Sequence, residues 1–132
     1  MRALVTGGAG FIGSTLVGRL LAEERVDRVV VLDNLSSGSR EMLGGSLGDS
    51  RVDLIVGDCG DPEVSSRALE GVDVVVHLAS NPDIARAVTE PEIDFSSGTL
   101  LTNSVVEAAR TQGVNTIVYA SGSGVYGDLG DL

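Results

Sequence analysis

The sequence contains no lysine, no tryptophan and a single cysteine, Cys59. Its nine basic residues are therefore all arginine, and they stand against nineteen acidic residues, so the formal net charge is −10. Binding to a nucleic-acid backbone requires a basic patch, and this balance argues against a nucleic-acid partner. One cysteine cannot form an internal disulfide, so nothing indicates an oxidising compartment, and we expect a cytoplasmic protein.

Long apolar runs and aromatic clusters are missing as well. No segment approaches the uninterrupted run of about 18 apolar residues that a membrane-spanning helix needs, so we expect no membrane contact. Two phenylalanines and two tyrosines offer no stacking platform for single-stranded nucleic acid. We expect no metal site either. With 132 residues, the chain fits one domain that can bury a core of its own.

Glycine, by contrast, is abundant, and three glycines punctuate the start of the chain. Gly7, Gly10 and Gly13 follow an apolar run and precede a helix-like segment. In a phosphate-binding loop of this spacing, the first glycine allows a sharp turn, the second lets backbone N–H groups approach a pyrophosphate, and the third lets the new helix pack closely on the sheet. The helix N-terminus would then face the phosphates. A glycine-rich turn without a ligand is the simpler alternative.

Apolar and polar segments alternate along the rest of the chain in the manner of strands and helices. Solid apolar runs at 29–32 and 74–76 are typical of strands that are covered on both faces. The predicted strands are 3–6, 28–32, 52–56, 73–78 and 116–120, and the predicted helices are 11–24, 40–43, 62–70, 84–88 and 91–112. This alternation predicts an α/β fold of the Rossmann type, a doubly wound parallel sheet in the order 3-2-1-4-5 with helices on both faces.

Polar or glycine-rich residues follow every predicted strand. They lie at 6–13, Asp33, Asp58, 78–81 and 121–123. Parallel sheets of this order bind ligands at the carboxyl ends of the strands, next to the switch point between strands 1 and 4. Asp33 stands 20 residues after Gly13, where a dinucleotide-binding unit places a carboxylate for the adenosine ribose. The sequence therefore predicts a dinucleotide site; the alternative is that Asp33 only caps a strand end.

These stretches resemble the extended short-chain dehydrogenase/reductases, in the NAD-dependent nucleotide-sugar epimerase/dehydratase branch, and within it the UDP-glucose 4-epimerases. The matching stretches are 6–13, 33–38, 57–58, 77–79, 107–110 and 125–127. The resemblance covers residues 1–132 as an NAD-binding domain, the N-terminal portion of such an enzyme without its substrate lobe. It implies a nucleotide-sugar substrate, in the first instance a UDP-sugar, transient hydride transfer from a sugar carbon to bound NAD, and a homodimer for the full-length protein.

The resemblance also implies a role for each residue of the cofactor site. Phe11 and Ile12 would present their backbone N–H groups to the pyrophosphate, next to Gly7, Gly10 and Gly13. Asp33 would accept both ribose hydroxyls, and its charge would favour NAD over NADP. The remaining implied contacts are Asn34, Ser36 and Gly38 along the same ribose and the phosphates, Asp58 and Cys59 at the adenine edge, and Leu78, Ala79 and Ser80 beside the nicotinamide ribose.

The sequence departs from the family pattern at the positions of the family's catalytic and nicotinamide-contacting residues. The family uses a Tyr-x-x-x-Lys pair, and a sequence without lysine cannot contain it, so we expect the pair beyond Leu132. Gly122 stands where the family has a catalytic serine or threonine, which leaves Ser121 and Ser123 as the catalytic candidates. Gly98 stands where the family often has an asparagine near the nicotinamide.

Three hypotheses about function therefore remain open. The first is the NAD-binding part of an epimerase or dehydratase, inactive by itself. The second is a non-catalytic dinucleotide-binding or sensor module, which Gly98 and Gly122 favour. The third is another class on the same fold, such as a sulfotransferase-like protein or an NADP reductase. Two further expectations concern single residues: His77 is a satisfied core histidine, and Cys59 is a small apolar neighbour with no reactive thiol.

Overall fold

The computed structural model describes residues 1–81 and 83–122. In this part of the chain, five parallel strands form one sheet in the order β3-β2-β1-β4-β5, so the predicted order is confirmed. The strands are β1 (Arg2–Thr6), β2 (Arg28–Asp33), β3 (Val52–Val56), β4 (Val74–His77) and β5 (Ile117–Tyr119). The order reverses where β1 pairs with both β2 and β4, and this junction is the switch point of the sheet.

Helices connect the strands over both faces of the sheet. The α-helical segments are α1 (Phe11–Leu21), α2 (Arg40–Leu43), α3 (Pro62–Ala68), α4 (Ile84–Thr89), α5 (Glu92–Asp94) and α6 (Leu101–Thr111). Helix α1 ends three residues before its predicted end, because the chain turns there and brings Val26 into the core, with Val26 N–H donating to the Glu23 carbonyl. No helix among the described residues combines the length and hydropathy needed to cross a bilayer.

The predicted helix 91–112 is a continuous helical run, but its middle is not α-helical. Residues Phe95–Leu100 wind as a π-helix between α5 and α6. A π-helical stretch is rare, and such stretches are frequently found at functional sites. This stretch lies beside the carboxyl ends of the strands, where the sequence predicts a ligand.

The core has two halves, one on each face of the sheet, because successive residues of a strand point to opposite sides. Leu4 of β1 faces one half and Val5 faces the other. The first half includes Val105 of α6, and the second includes Val17 of α1. Buried apolar residues on both faces hold the strand ends in fixed positions and leave the polar residues after them at one edge of the sheet.

Candidate cofactor-binding site

A cavity of about 850 Å³ opens at the carboxyl ends of the strands, over the junction of β1 and β4. Its walls come from the glycine loop, the tip of β2, the segments after β3 and β4, the π-helical stretch with α6, and the end of β5. All but one of the residues predicted to bind a cofactor line it. Those residues are Gly7, Gly10, Phe11, Ile12, Gly13, Asp33, Asn34, Ser36, Asp58, Cys59, Leu78, Ala79 and Ser80.

The three glycines of the loop are required for different reasons. Gly7 adopts φ +67°, and a Cβ there would lie 2.8 Å from the amide N of Ala79. A Cβ on Gly13 would lie 2.2 Å from the carbonyl O of Gly7, so the loop itself crowds Gly13, and not the sheet that the sequence led us to expect. At Gly10 the nearest atom would be the same oxygen, at 3.3 Å. Gly10 is thus the glycine that the protein's own packing needs least.

Helix α1 begins directly at the cavity with its first N–H groups uncapped. Gly10 is the N-cap residue, no side chain there accepts a hydrogen bond, and the first turn carries no acidic residue. The side chains of Phe11 and Ile12 are exposed. Backbone N–H groups at such a terminus have no intrahelical acceptor, and the helix dipole favours an anion in front of them. The arrangement therefore fits a phosphate group.

Asp33 at the end of β2 is buried and holds two parts of the site together. Its Oδ2 accepts a hydrogen bond of 2.8 Å from the Ala9 N–H, and its Oδ1 accepts one of 2.8 Å from the Leu35 N–H. A carboxylate has about four acceptor positions, so each oxygen can still accept from a hydroxyl group. The sequence predicts the position of this carboxylate but not its bond to the glycine loop, because Ala9 lies 24 residues earlier in the chain.

Gly38 is the predicted cofactor residue that lies outside the cavity lining. A Cβ at this position would lie 2.6 Å from the Ala9 carbonyl O, and the next residue, Ser39, donates its N–H to the same oxygen at 3.1 Å. Gly38 therefore packs against the back of the glycine loop, where only a residue without a side chain fits. Its predicted contact with the ribose and phosphates stays a prediction.

Two neighbouring residues line the end of the cavity after β3. Asp58 is exposed, and its Oδ1 accepts from the Gly60 N–H at 2.8 Å. Cys59 is buried, and its carbonyl accepts from the Ser65 hydroxyl at 2.6 Å. Burial, and then the nearby charge of Asp58, raise the pKa of the Cys59 thiol to about 12. Cys59 packs in the apolar core, as expected, and a thiol that stays protonated is a poor nucleophile, so an unreactive cysteine stays the prediction.

We therefore expect Cys59 to react only after the chain unfolds. Raising the thiol pKa from 9.0 to about 12 lowers the thiolate fraction at pH 8 by roughly 10³-fold, and burial also blocks the reagent. Iodoacetamide at pH 8 should leave the native protein unmodified over an hour and should modify the chain fully in guanidinium chloride. Because Cys59 is the only cysteine, intact mass reports this thiol alone. Rapid modification of the native protein would contradict the structure.

His77, at the end of β4, is buried and has a partner for each ring nitrogen. Its Nδ1 lies 2.7 Å from the Thr6 hydroxyl, and its Nε2 lies 3.1 Å from the Thr102 hydroxyl. Burial lowers the pKa of His77, so the ring is neutral at pH 7. The prediction of a satisfied core histidine is confirmed, although the ring also borders the cavity.

The opposite end of the cavity is polar and open. Ser121 lines it, whereas Ser123, the other catalytic candidate, and the matching stretch 125–127 lie outside the described residues. Cβ atoms at Gly98 and Gly122 would meet no atom within 4 Å. Sequence reasoning missed the hydroxyl side chains that the long helical run contributes here, although several small polar residues in one helix were a visible signal. They are Ser96, Ser97, Thr102 and Ser104.

The chain matches a known family. Residues 3–132 match the model of the NAD dependent epimerase/dehydratase family. The chain belongs to this family. It is 41% identical over 129 residues to a UDP-glucose 4-epimerase of Mycolicibacterium smegmatis, covering 96% of this chain and 41% of that protein. It is 38% identical over 130 residues to a dTDP-glucose 4,6-dehydratase of Mycobacterium tuberculosis, covering 98% of this chain and 38% of that protein.

Solved structures of family members have the same fold. The chain matches a dTDP-glucose 4,6-dehydratase double mutant from Streptomyces venezuelae, crystallised with NAD, with a TM-score of 0.91 and 37% identity, over 100% of this chain and 43% of that one. A Thermus thermophilus UDP-glucose 4-epimerase in complex with NAD gives a TM-score of 0.79 and 39% identity, over 92% of this chain and 37% of that one. The chain thus spans about two fifths of its relatives, and its similarity to the family, inferred from the sequence, is confirmed.

Proposed function

We propose that this chain is the NAD-binding part of a nucleotide-sugar epimerase of the UDP-glucose 4-epimerase type. One observation carries the proposal: the uncapped start of α1 and the room above Gly10 meet the buried carboxylate of Asp33 in a single cavity at the switch point of the sheet. This donor set fits a dinucleotide, which needs N–H groups for a pyrophosphate and a carboxylate for a ribose. The family and its NAD-bound relatives support the same cofactor.

Each part of the cavity has a task in holding NAD. The N–H groups of Phe11 and Ile12 would bind the pyrophosphate, and Asp33 would accept the adenosine ribose hydroxyls and repel a 2′-phosphate. Asn34, Ser36 and Gly38 would lie along the ribose and the phosphates, Asp58 and Cys59 at the adenine, and Leu78, Ala79 and Ser80 at the nicotinamide ribose. When bound, NAD supplies the hydride acceptor for a sugar carbon. The residues described here bind and orient it.

The described residues supply less for the chemistry than for binding. Ser121 places a hydroxyl at the open end of the cavity and can donate to a sugar hydroxyl, and Ser123 is the second candidate. The sequence holds no lysine to lower the pKa of a tyrosine, so residues 1–132 contain no complete acid–base pair of the family type. We therefore propose that this stretch binds NAD but does not turn substrate over by itself.

The finer properties of the full-length protein are also part of this proposal. A UDP-sugar is the proposed substrate, because one solved relative, from Thermotoga maritima, is a UDP-glucose 4-epimerase with UDP-glucose and shares 32% identity. The cytoplasm is the proposed location, and the single cysteine favours it. A homodimer is the proposed assembly, with the long helical run 92–111 as the candidate interface.

Two alternatives rest on particular observations. Dehydratases are nearly as similar to this chain as epimerases, at 38% and 41% identity over almost the same residues, so a nucleotide-sugar dehydratase is the second candidate. A non-catalytic dinucleotide-binding or sensor module is the third, and the open space at Gly98 and Gly122 favours it.

Calorimetric titration of the chain with NAD and NADP tests the proposal. We expect weak binding of NAD and at least about tenfold weaker binding of NADP, since a 2′-phosphate beside the buried Asp33 carboxylate costs more than about 1.4 kcal/mol. Residues 1–132 mixed with UDP-glucose and NAD should yield no UDP-galactose. Preference for NADP would contradict the role of Asp33, and turnover would contradict the inactivity of this stretch. Incubating the full-length protein with UDP-glucose and with dTDP-glucose distinguishes the epimerase from the dehydratase.

A further inference from the structure

Three buried or half-buried side chains form a chain of hydrogen bonds beneath the cavity. Thr6 ends β1, His77 ends β4, and Thr102 lies in the first turn of α6. Thr6 and His77 are among the buried polar residues of the protein. The Thr6 hydroxyl lies 2.7 Å from Nδ1 of His77, and the Thr102 hydroxyl lies 3.1 Å from Nε2. The imidazole thus joins the helix to the two central strands.

The direction of these hydrogen bonds follows from the amides around Thr6. The Leu78 N–H donates to the Thr6 carbonyl O at 3.1 Å and is shared with the Thr6 hydroxyl oxygen at 3.3 Å, and the Ala79 N–H donates to the same hydroxyl oxygen at 3.4 Å. With these amides facing the hydroxyl oxygen, we assign the one hydroxyl proton of Thr6 to Nδ1 of His77, which is then the unprotonated nitrogen. Nε2 therefore carries the ring proton and donates it to Thr102. The lowered pKa of His77 agrees with a neutral ring.

Leu78 and Ala79, whose N–H groups donate to the Thr6 hydroxyl, belong to a backbone segment that contacts the glycine loop. A Cβ on Gly7 would lie 2.8 Å from the Ala79 N, so the tip of β4 and the loop are already in close contact. Leu78 and Ala79 also line the cavity, as does Tyr119, whose ring stacks on the imidazole at a centroid distance of 6.0 Å. A displacement of this backbone would therefore change the shape of the loop and of the cavity wall.

We infer that His77 is a positioning residue of this cavity. As the Nε2–H tautomer it ties Thr102 of α6 to Thr6, and through Thr6 it fixes the Leu78–Ala79 backbone against the glycine loop. The role in cofactor binding rests on the proposed function, because it concerns the same cavity. The fixing of the backbone does not, because it depends only on contacts inside the protein.

The tautomer is measurable because His77 is the only histidine. A ¹⁵N–¹H correlation spectrum of the imidazole at pH 7 should show a neutral ring with the proton on Nε2. A neutral ring with its proton on Nδ1, or an imidazolium, would overturn the inference, since neither can accept the Thr6 hydroxyl proton at Nδ1.

Variants of the helix residue test the positioning role. Thr102→Val removes the acceptor for Nε2–H, whereas Thr102→Ser keeps it; Thr111→Val makes the same change at an exposed position of α6. The backbone amide resonances of Leu78 and Ala79 should shift in Thr102→Val and stay close to their original positions in Thr102→Ser and Thr111→Val. NAD affinity should fall about fivefold in Thr102→Val, as expected for one lost hydrogen bond, and remain within about twofold in the other two variants.

The amide resonances test the positioning role of His77, and NAD binding by the original protein tests the proposed function. Unchanged Leu78 and Ala79 amides in a folded Thr102→Val protein would overturn the positioning role, and so would equal losses in Thr102→Val and Thr102→Ser, which would point to the side-chain shape and not to the hydroxyl. If the original protein binds no NAD, the proposed function fails, and the amide shifts still decide whether His77 fixes this backbone.

Discussion

Replacing Gly13 with alanine is expected to destabilise the protein by about 3 kcal/mol, as overpacking at a rigid site does. The new Cβ would lie 2.2 Å from the Gly7 carbonyl O and 2.6 Å from the Gly8 Cα. Both atoms belong to backbone, so no side chain can rotate away, and the loop must separate from the first turn of α1. The gain in helix propensity, about 1 kcal/mol, is too small to compensate. Chemical denaturation measures the difference.

Two other glycines give matched controls for this substitution. Gly18 lies on the exposed side of the same helix with no atom within 4 Å of a Cβ, so Gly18→Ala should stabilise the protein by about 0.5–1 kcal/mol. Gly10→Ala should leave stability within about 1 kcal/mol, because only the Gly7 carbonyl O is close. It should nevertheless weaken NAD binding by about 100-fold, because the new methyl group would fill the space that we propose for the pyrophosphate. Equal stabilities for Gly13→Ala and Gly18→Ala would refute the crowding that the structure shows.

Replacing Asp33 with asparagine is expected to lower NAD affinity by about 10-fold to 100-fold and to destabilise the free protein by about 1–3 kcal/mol. Each carboxylate oxygen accepts from one backbone N–H, from Ala9 or from Leu35. An amide NH₂ cannot accept, so one of these buried donors loses its partner, which accounts for the loss of stability. The hydrogen bonds that we propose between Asp33 and the ribose would also lose their charged acceptor, and such charged hydrogen bonds are worth about 1.5–3 kcal/mol. Calorimetry and denaturation measure the two effects.

Asp58→Asn is the control for this prediction, because Asp58 lines the same cavity but is exposed and accepts from the Gly60 N–H through one oxygen only. An asparagine carbonyl can replace that acceptor, so stability should change by less than about 0.5 kcal/mol. If Asp33→Asn were as stable as the original protein, Asp33 would contribute charge to the site but would not hold the loop.

The arrangement of the strands was predictable because it follows from local patterns that all agree. Continuous apolar runs mark strands that are covered on both faces, the polar residues after them mark the strand ends, and right-handed crossovers leave few orders for five parallel strands. Asp33 could be placed at the cavity for the same reason. Its position depends on where β2 ends, and β2 ends at Asp33, the first residue after its apolar run.

Contacts between distant parts of the chain were not predictable, because no local pattern reports them. The bond from Ala9 to Asp33 and the packing of Gly38 behind the loop exist only once β1 and β2 lie side by side. Leu35 adopts φ 58°, a left-handed conformation that costs a residue with a Cβ about 1–2 kcal/mol. Sequence rules reserve it for glycine or asparagine, whereas here the Asp33 carboxylate holds the Leu35 N–H in place.

The π-helical stretch Phe95–Leu100 also has a consequence for how this chain is aligned with its relatives. A π-helical turn contains the extra residue that a single insertion into an α-helix leaves behind. A relative whose helix is wound entirely as α would be one residue shorter here, and each residue of offset rotates a helical position by about 100°. An ungapped alignment, such as the one that sets Gly98 against the family's asparagine, would then pair side chains that face different directions. A gap within 95–100 restores the correspondence on both sides of the stretch.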